Sequence, residues 1–335
     1  MSERTRRALA TLGRSPQTWT LLLAAALFLL PLVAGRYLLY VTIHILILSL
    51  FALGFNLLFG YTGLLSFGQA GFFAVGAYGC AKILLTIPSL LLGVLGGSAA
   101  AGLAALLLGA LSVRHTRIYF SMLTLAFGMM IYSIAWKWRD FTGGDDGLVG
   151  IPRAPLDLPG LVTLDLSTME RYYTFVLVVA LLAILLMYRL VRSPLGLALQ
   201  GIRDSESRVA FAGLSVATYR LIAFTIAGLY AGLAGSLLPP LENTVTPPIA
   251  HWSASAEPVL ATLLGGIHTF AGPIVGAFLF FAIKDLIVRF TEYWPLVLGT
   301  IVVVLVMGFR GGVASIVADA LAARPGFGAG PGGRR

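Results

Sequence analysis

Ionised side chains are what this sequence has least of. Only 11% of its 335 residues are Asp, Glu, Lys or Arg, against about a quarter in a soluble domain. A water-facing globular surface cannot be made from so little charge, so an ordinary soluble fold is excluded. Cysteine is nearly absent as well. The single Cys80 rules out an internal disulfide and a cysteine-based metal site, and its apolar neighbours mark it as packing. Lysine is almost as scarce, with only Lys82, Lys137 and Lys284. A P-loop needs Gly-x-x-x-x-Gly-Lys-Ser/Thr, and these lysines follow Ala81, Trp136 and Ile283. If ATP drives anything here, another chain must hydrolyse it. The histidines, His44, His115, His251 and His268, are scattered over different segments without metal-ligand spacing. No spacing supports pairing Ser66 with His44 for hydrolysis within the membrane. The chain is therefore expected to be no enzyme and to hold no cofactor and no metal.

What is present is hydrophobic sequence, 58% of the residues, in runs of roughly twenty separated by short polar breaks, as a bilayer core of about 30 Å requires. Candidate spans are 18–35, 37–59, 62–87, 88–112, 118–138, 171–190, 219–240, 255–268, 271–290 and 293–309. The expectation is an all-α polytopic helical membrane protein of about ten transmembrane segments. The run from Trp19 to Ala34 is read as a retained first span, because it lacks a clear small-x-small cleavage site and further spans follow at once. Pro31, Pro88, Pro258, Pro273 and Pro295 mark helix starts or kinks.

Charge then orients the spans. The formal net charge is +9, but the basic residues sit at the ends of apolar runs, where the positive-inside rule places them. They are not gathered on a soluble domain, so nucleic acid is not an expected partner. Arg4, Arg6, Arg7 and Arg14 make 1–17 a cytoplasmic N-terminal segment, followed by a membrane domain over 18–309. The 139–170 link is acidic, with Asp140, Asp145, Asp146, Asp157, Asp165 and Glu170, and is expected outside, in the periplasm. The 192–218 segment is basic and expected inside. The 310–335 tail, "RPGFGAGPGGRR" at its end, is expected to be cytoplasmic and disordered. This describes a multi-pass protein of a bacterial inner (plasma) membrane with both termini in the cytoplasm.

Two segments are unusual for spans. "NLLFGYTGLLSFGQAGFFAVGAYG", from Asn56 to Gly79, mixes helix-weakening glycines with polar side chains. Glycine lets helices approach closely and lets a helix break without strain. Asn56, Ser66, Gly68 and Gln69 are thus expected to line a translocation path at a broken helix; packing across helices is the alternative. "GGIHTFAGPIVGAFLF" is a second Gly-rich interruption about five spans later, which predicts an inverted internal repeat. Ion-coupled carriers hold carboxylates inside the bundle. Here the middle of the first seven spans has none, and the candidates are Glu257, Asp285 and Glu292. Lys284 and Asp285 are adjacent and near a span's end, and are read as snorkelling or as a local ion pair.

The cytoplasmic segment reads as an elbow of two short helices. Ser193 and Pro194 form an N-cap with proline at the first helical position. Leu195, Leu199 and Ile202 give an apolar face. Asp204 or Ser205 caps a second helix through Val209, and Gly213 stops it. A face this apolar needs a surface to dock against.

"GFNLLFGYTGLLSFGQAGFFAVGAY", "FTGGDDGLVGIPRAPL", "SPLGLALQGIRDSESRVAFAGLSVATYRLIAFTIAGLYAGLAGSL" and "TLLGGIHTFAGPIVGAF" occur in this order over residues 38–312. In them the chain resembles inner-membrane permeases of branched-chain amino acid ABC importers, and among these the LivM-type subunit. The resemblance implies a non-catalytic permease subunit that moves branched-chain amino acids or related small polar solutes inward. It implies as partners a sister permease, two cytoplasmic ATP-binding subunits and a periplasmic solute-binding protein, all around a core in contact with lipid. Ser193, Pro194, Leu195, Gly196, Leu199, Arg203, Val209 and Gly213 would form the ATPase-coupling segment, with Leu195, Leu199 and Val209 buried against the ATPase. The family more often has Arg where this chain has Leu197, and His where it has Gln69. A stand-alone secondary carrier or channel for a small polar solute is the other reading.

Overall fold

With no water to satisfy N–H and C=O groups in lipid, long apolar runs fold as helices, and the computed structural model follows that rule. It describes residues 26–115, 117–158 and 162–291, with positions 293, 296–297, 299–301 and 303. A short helix α1 (26–33) is followed by α2 (Arg36–Asn56), α3 (Gln69–Thr86), α4 (Leu90–Ser112), α5 (Arg117–Lys137), α6 (Met169–Val191), α7 (Pro194–Asp204), α8 (Glu206–Phe211), α9 (Val216–Ser236), α10 (Ala256–Gly265) and α11 (Gly272–Val288).

Among the described residues, five helical stretches are long and apolar enough to cross a membrane: 36–61, 90–112, 118–137, 169–191 and 216–242. The expected third segment, 62–87, is helical only from Gln69. The expected eighth and ninth segments are α10 and α11, of 10 and 17 residues, and at about 1.5 Å per residue α10 is too short to cross alone. The 1–17 segment, residues 18–25 of the first expected span, most of the tenth and the 310–335 tail lie outside the described residues.

The 139–170 link, expected as a loop, carries short strands. Leu148–Val149 (β1) pairs antiparallel with Thr244–Val245 (β4), and Leu156–Leu158 (β2) pairs with Val162–Leu164 (β3). Before α6, Asp165 accepts bonds from the Ser167 amide and hydroxyl, each 3.0 Å, and meets Arg171 at 3.0 Å. The Ser167 bonds, then the Arg171 charge, hold its carboxyl below the usual carboxylate range. A carboxyl shifted down steadies the link above its unfolded value and loses that effect as pH falls.

The core is built on close helix approach. Helix α9 packs on α4, α3 and α2. A Cβ on Gly76 would come within 2.2 Å of the Gly232 carbonyl oxygen, so α3 and α9 cross backbone to backbone, as small residues permit in membranes. Two ends of the bundle can be told apart. The link end holds Pro155 against Leu90 at the start of α4. The elbow end holds α7 against α6, α9 and the Leu57–Tyr61 turn.

Candidate translocation site and elbow

Helix α2 does not end cleanly at Asn56. It widens into a π-helical turn, Leu57–Tyr61, and the chain then runs without regular structure until α3 starts at Gln69. The expected helix break is therefore present over 62–68. Local bonds shape it: Leu64 N–H donates to the Leu58 carbonyl at 2.9 Å, and the Thr62 hydroxyl to the Leu57 carbonyl at 2.9 Å. Two other elements hold it. The Ser121 hydroxyl of α5 donates to the Leu65 carbonyl at 2.7 Å, and the Ala70 amide donates to Ser255 Oγ at 3.0 Å. The second bond brings the N-termini of α3 and α10 together. From there α3 leads toward the link end, while α10 leads to Ile267, whose carbonyl lies beside Gly60 near the elbow.

The polar side chains of the break are sealed. Asn56 is 2% exposed, and Ser66 and Gln69 are 0% exposed. Asn56 Oδ1, Ser66 Oγ and both polar atoms of Gln69 have no hydrogen-bond partner. Gly68 is not left-handed (φ −94°); it is small because a Cβ there would lie 2.2 Å from the Thr124 carbonyl oxygen of α5.

On the link-end side of this seal lies a cavity of about 490 Å³. Phe73, one turn beyond Gln69, and Ala254 and Glu257, either side of the Ser255 contact, are part of its wall. Ile47, Leu48, Phe51, Ile249 and Phe281 supply apolar wall; Asn56, Ser66, Gly68 and Gln69 are not in it. Charge enters the wall from two elements, α10 and α11. Lys284 Nζ of α11 meets Glu257 Oε1 of α10 at 2.8 Å. Outside the wall, beyond the end of α9, Glu242 Oε1 accepts from the Tyr40 hydroxyl at 2.6 Å and lies 2.9 Å from His44 Nε2, both of them wall residues.

The adjacent Lys284 and Asp285 each form an ion pair, but with other partners than each other. Asp285 instead pairs with Arg289 at 2.8 Å and accepts from the Tyr37 hydroxyl. Consecutive helix positions point to different faces. The sequence reading passed over Glu242 and Tyr40, whose contacts join segments about 200 residues apart in sequence. Among the described residues no group of three or more His, Cys, Asp or Glu could hold a metal.

The elbow forms as its local signals require. Ser193 is extended and Pro194 opens α7. Ser205, of the two candidates, caps α8 by accepting from the Arg208 amide. Gly213 ends the turn with φ +84°, a conformation that costs other residues. The direction of its apolar face differs from expectation. Leu199 and Ile202 are 0% and 1% exposed, because α7 packs them onto the chain's own α6 and α9. Gly196 is pressed against the Val191 carbonyl, and Leu195 and Val209 are half-buried. Leu199 is thus covered by this chain's own helices. What faces out is Phe211, 93% exposed, with Leu197 at 67% and Leu214.

Two arginines tie the elbow to the bundle. Arg203 donates to the Gly60 carbonyl in the π-turn, and the buried Arg220 of α9 pairs with Glu206 of α8.

The family described as the branched-chain amino acid transport system permease component matches residues 37–307. The high-affinity branched-chain amino acid transport system permease protein LivM of Escherichia coli (strain K12) is 29% identical over 295 residues, covering 78% of this chain and 66% of that protein. The protein of the same name from Salmonella typhimurium (strain LT2) gives the same figures. A probable branched-chain amino acid transport permease protein LivH of Methanocaldococcus jannaschii is 26% identical over 260 residues, covering 76% of this chain and 80% of the relative. The chain thus spans just under two thirds of the length of the LivM relatives. No solved structure matches it.

Proposed function

Because the chain belongs to the family of branched-chain amino acid transport system permease components, we propose that it is one permease subunit of an ATP-driven importer for branched-chain amino acids or related small polar solutes. The observation that carries this reading is a cavity closed at its inner side by a broken helix, with an exposed apolar elbow at the far end. A sister permease would complete the pathway, two ATP-binding subunits would seat against the elbow, and a periplasmic binding protein would deliver solute to the link end.

In this reading Asn56, Ser66, Gly68 and Gln69 form the closed inner gate. Each buried polar group without a partner costs about 1–3 kcal/mol, and water or solute in an opened gate would satisfy it. The closed gate is therefore poised, and its uncharged surface would not trap a zwitterion. A push on the elbow would reach the gate through Arg203, which holds the Gly60 carbonyl of the π-turn. The meeting N-termini of α3 and α10, leading to opposite ends, support an inverted two-half design.

The test is reconstitution. Proteoliposomes holding the chain with its sister permease and ATPases should accumulate leucine only when ATP and the binding protein are both supplied. Uptake by this chain alone under an ion gradient would establish the secondary-carrier reading instead.

Orientation has its own test. The acidic link belongs outside and the basic elbow inside. In a Cys80→Ala background, an impermeant thiol reagent added to intact cells should label Asp146→Cys and spare Ser207→Cys; both positions are exposed. Labelling of Ser207→Cys from outside would invert the topology.

A further inference from the structure

We infer that the cavity is a solute site within the permease that reads both charges of an amino acid: Lys284 takes the carboxylate, Glu257 takes the ammonium, and the apolar wall takes the side chain. This rests on the permease reading above and deepens it by naming the solute class. Its volume, about 490 Å³, lies within the roughly 300–1,000 Å³ of small-molecule sites. Ionised groups inside a helical bundle are costly and mark solute or ion pathways. Here one carboxylate, Glu257, and one ammonium, Lys284, share the wall of a single cavity.

The chemistry of that wall selects among small solutes. A dicarboxylate would meet Glu257, and a simple cation would meet Lys284. Urea or an acetamide carries no charge to offset the separation of Lys284 from Glu257. An α-amino acid brings one charge of each sign and can exchange into the 2.8 Å Lys284–Glu257 contact, leaving both partners satisfied. Tyr40 and His44 of the wall are held in turn by Glu242, which is not itself part of the wall. Ile47, Leu48, Phe51, Ile249 and Phe281 offer branched aliphatic groups a dry surface and offer nothing to a polar side chain.

Binding of tritiated leucine to the purified permease–ATPase complex, without binding protein or ATP, reads this site directly. Leucine should compete, leucinamide and isocaproate should each compete about tenfold more weakly, and urea should not compete. Lys284→Met should remove the advantage of leucine over leucinamide. Glu257→Gln should remove its advantage over isocaproate. The exchanged pair, Lys284→Glu with Glu257→Lys, keeps a bridge but reverses the polarity of the wall, so assembly should persist while leucine binding is lost.

Wild-type binding by the exchanged pair would make the bridge structural and overturn the site, as would absence of leucine binding to the unaltered complex at millimolar concentration. Should the exchanged pair fail to assemble, Ile249→Trp serves, since it fills the cavity from a half-buried position. It should exclude leucine and still admit glycine; equal leucine binding would again overturn the site. Uptake separates the two readings. Normal leucine uptake by every variant sinks this site and leaves the permease reading standing, whereas a wild-type complex without uptake sinks the permease reading.

Discussion

Gly68→Leu is expected to abolish ATP-driven uptake and to lose most of the assembled protein. A single Cβ at this position would sit 2.2 Å from the Thr124 carbonyl oxygen and 3.0 Å from the Thr124 carbonyl carbon. Backbone cannot swing aside as a flexible side chain can. The N-terminus of α3 must therefore move off α5, which also strains the Ala70–Ser255 bond to α10. Overpacking of this kind costs about 1–3 kcal/mol for a methylene or two, and leucine adds more. A loss near 3 kcal/mol is on the order of a hundredfold in the folding equilibrium. Gly68→Ala should fall between wild type and Leu in both thermal stability and uptake.

Gly102→Ala is the control: its Cβ would meet only the Leu229 side chain at 3.5 Å. That is ordinary contact, and alanine in a helix interior gains about 0.5–1 kcal/mol over glycine. Thermal unfolding in detergent, read beside uptake, checks all three. A Gly68→Leu protein as stable as wild type yet inactive would show that the side chain blocks the path rather than wedging the helices.

That contrast shows how far the sequence could be read. The break at 62–68 was legible because its cause is local: glycines and polar residues cannot sustain a helix there. The elbow was legible for the same reason, down to Ser193, Pro194 and the stop at Gly213. The tightness at Gly68 was not, because it depends on where α5 lies. The burial of Leu199 within its own chain was not legible either. A short amphipathic helix shows which side is apolar, but whether that side meets its own bundle or another protein is decided by tertiary packing. Glu242 with His44 and Tyr40, and Lys284 with Glu257, are contacts between distant segments that neighbouring residues do not announce. The helical membrane class was legible throughout, since lipid leaves the backbone so few choices.

The direction of the elbow leads to the second large effect. Phe211→Asp is expected to release the ATP-binding subunits in a pull-down and to stop uptake while the permease itself remains folded. Phe211 is 93% exposed and ends α8, with Leu197 and Leu214 also facing out on the elbow. Its removal takes nothing from this chain's own core. An aromatic anchor seated in a partner's pocket is worth about 2 kcal/mol or more, roughly thirtyfold in affinity, and a buried unpaired carboxylate adds a further penalty. Leu199→Asp should fail differently. It puts a charge at a 0% exposed site under α7, so the elbow should detach from α6 and α9 and the permease should lose stability before any partner is added. Measuring permease stability and ATPase co-purification for both variants separates an outward docking face from an inward packing face. Full co-purification and uptake with Phe211→Asp would mean that the elbow's outer surface lies against lipid, and that the ATP-binding subunits engage elsewhere.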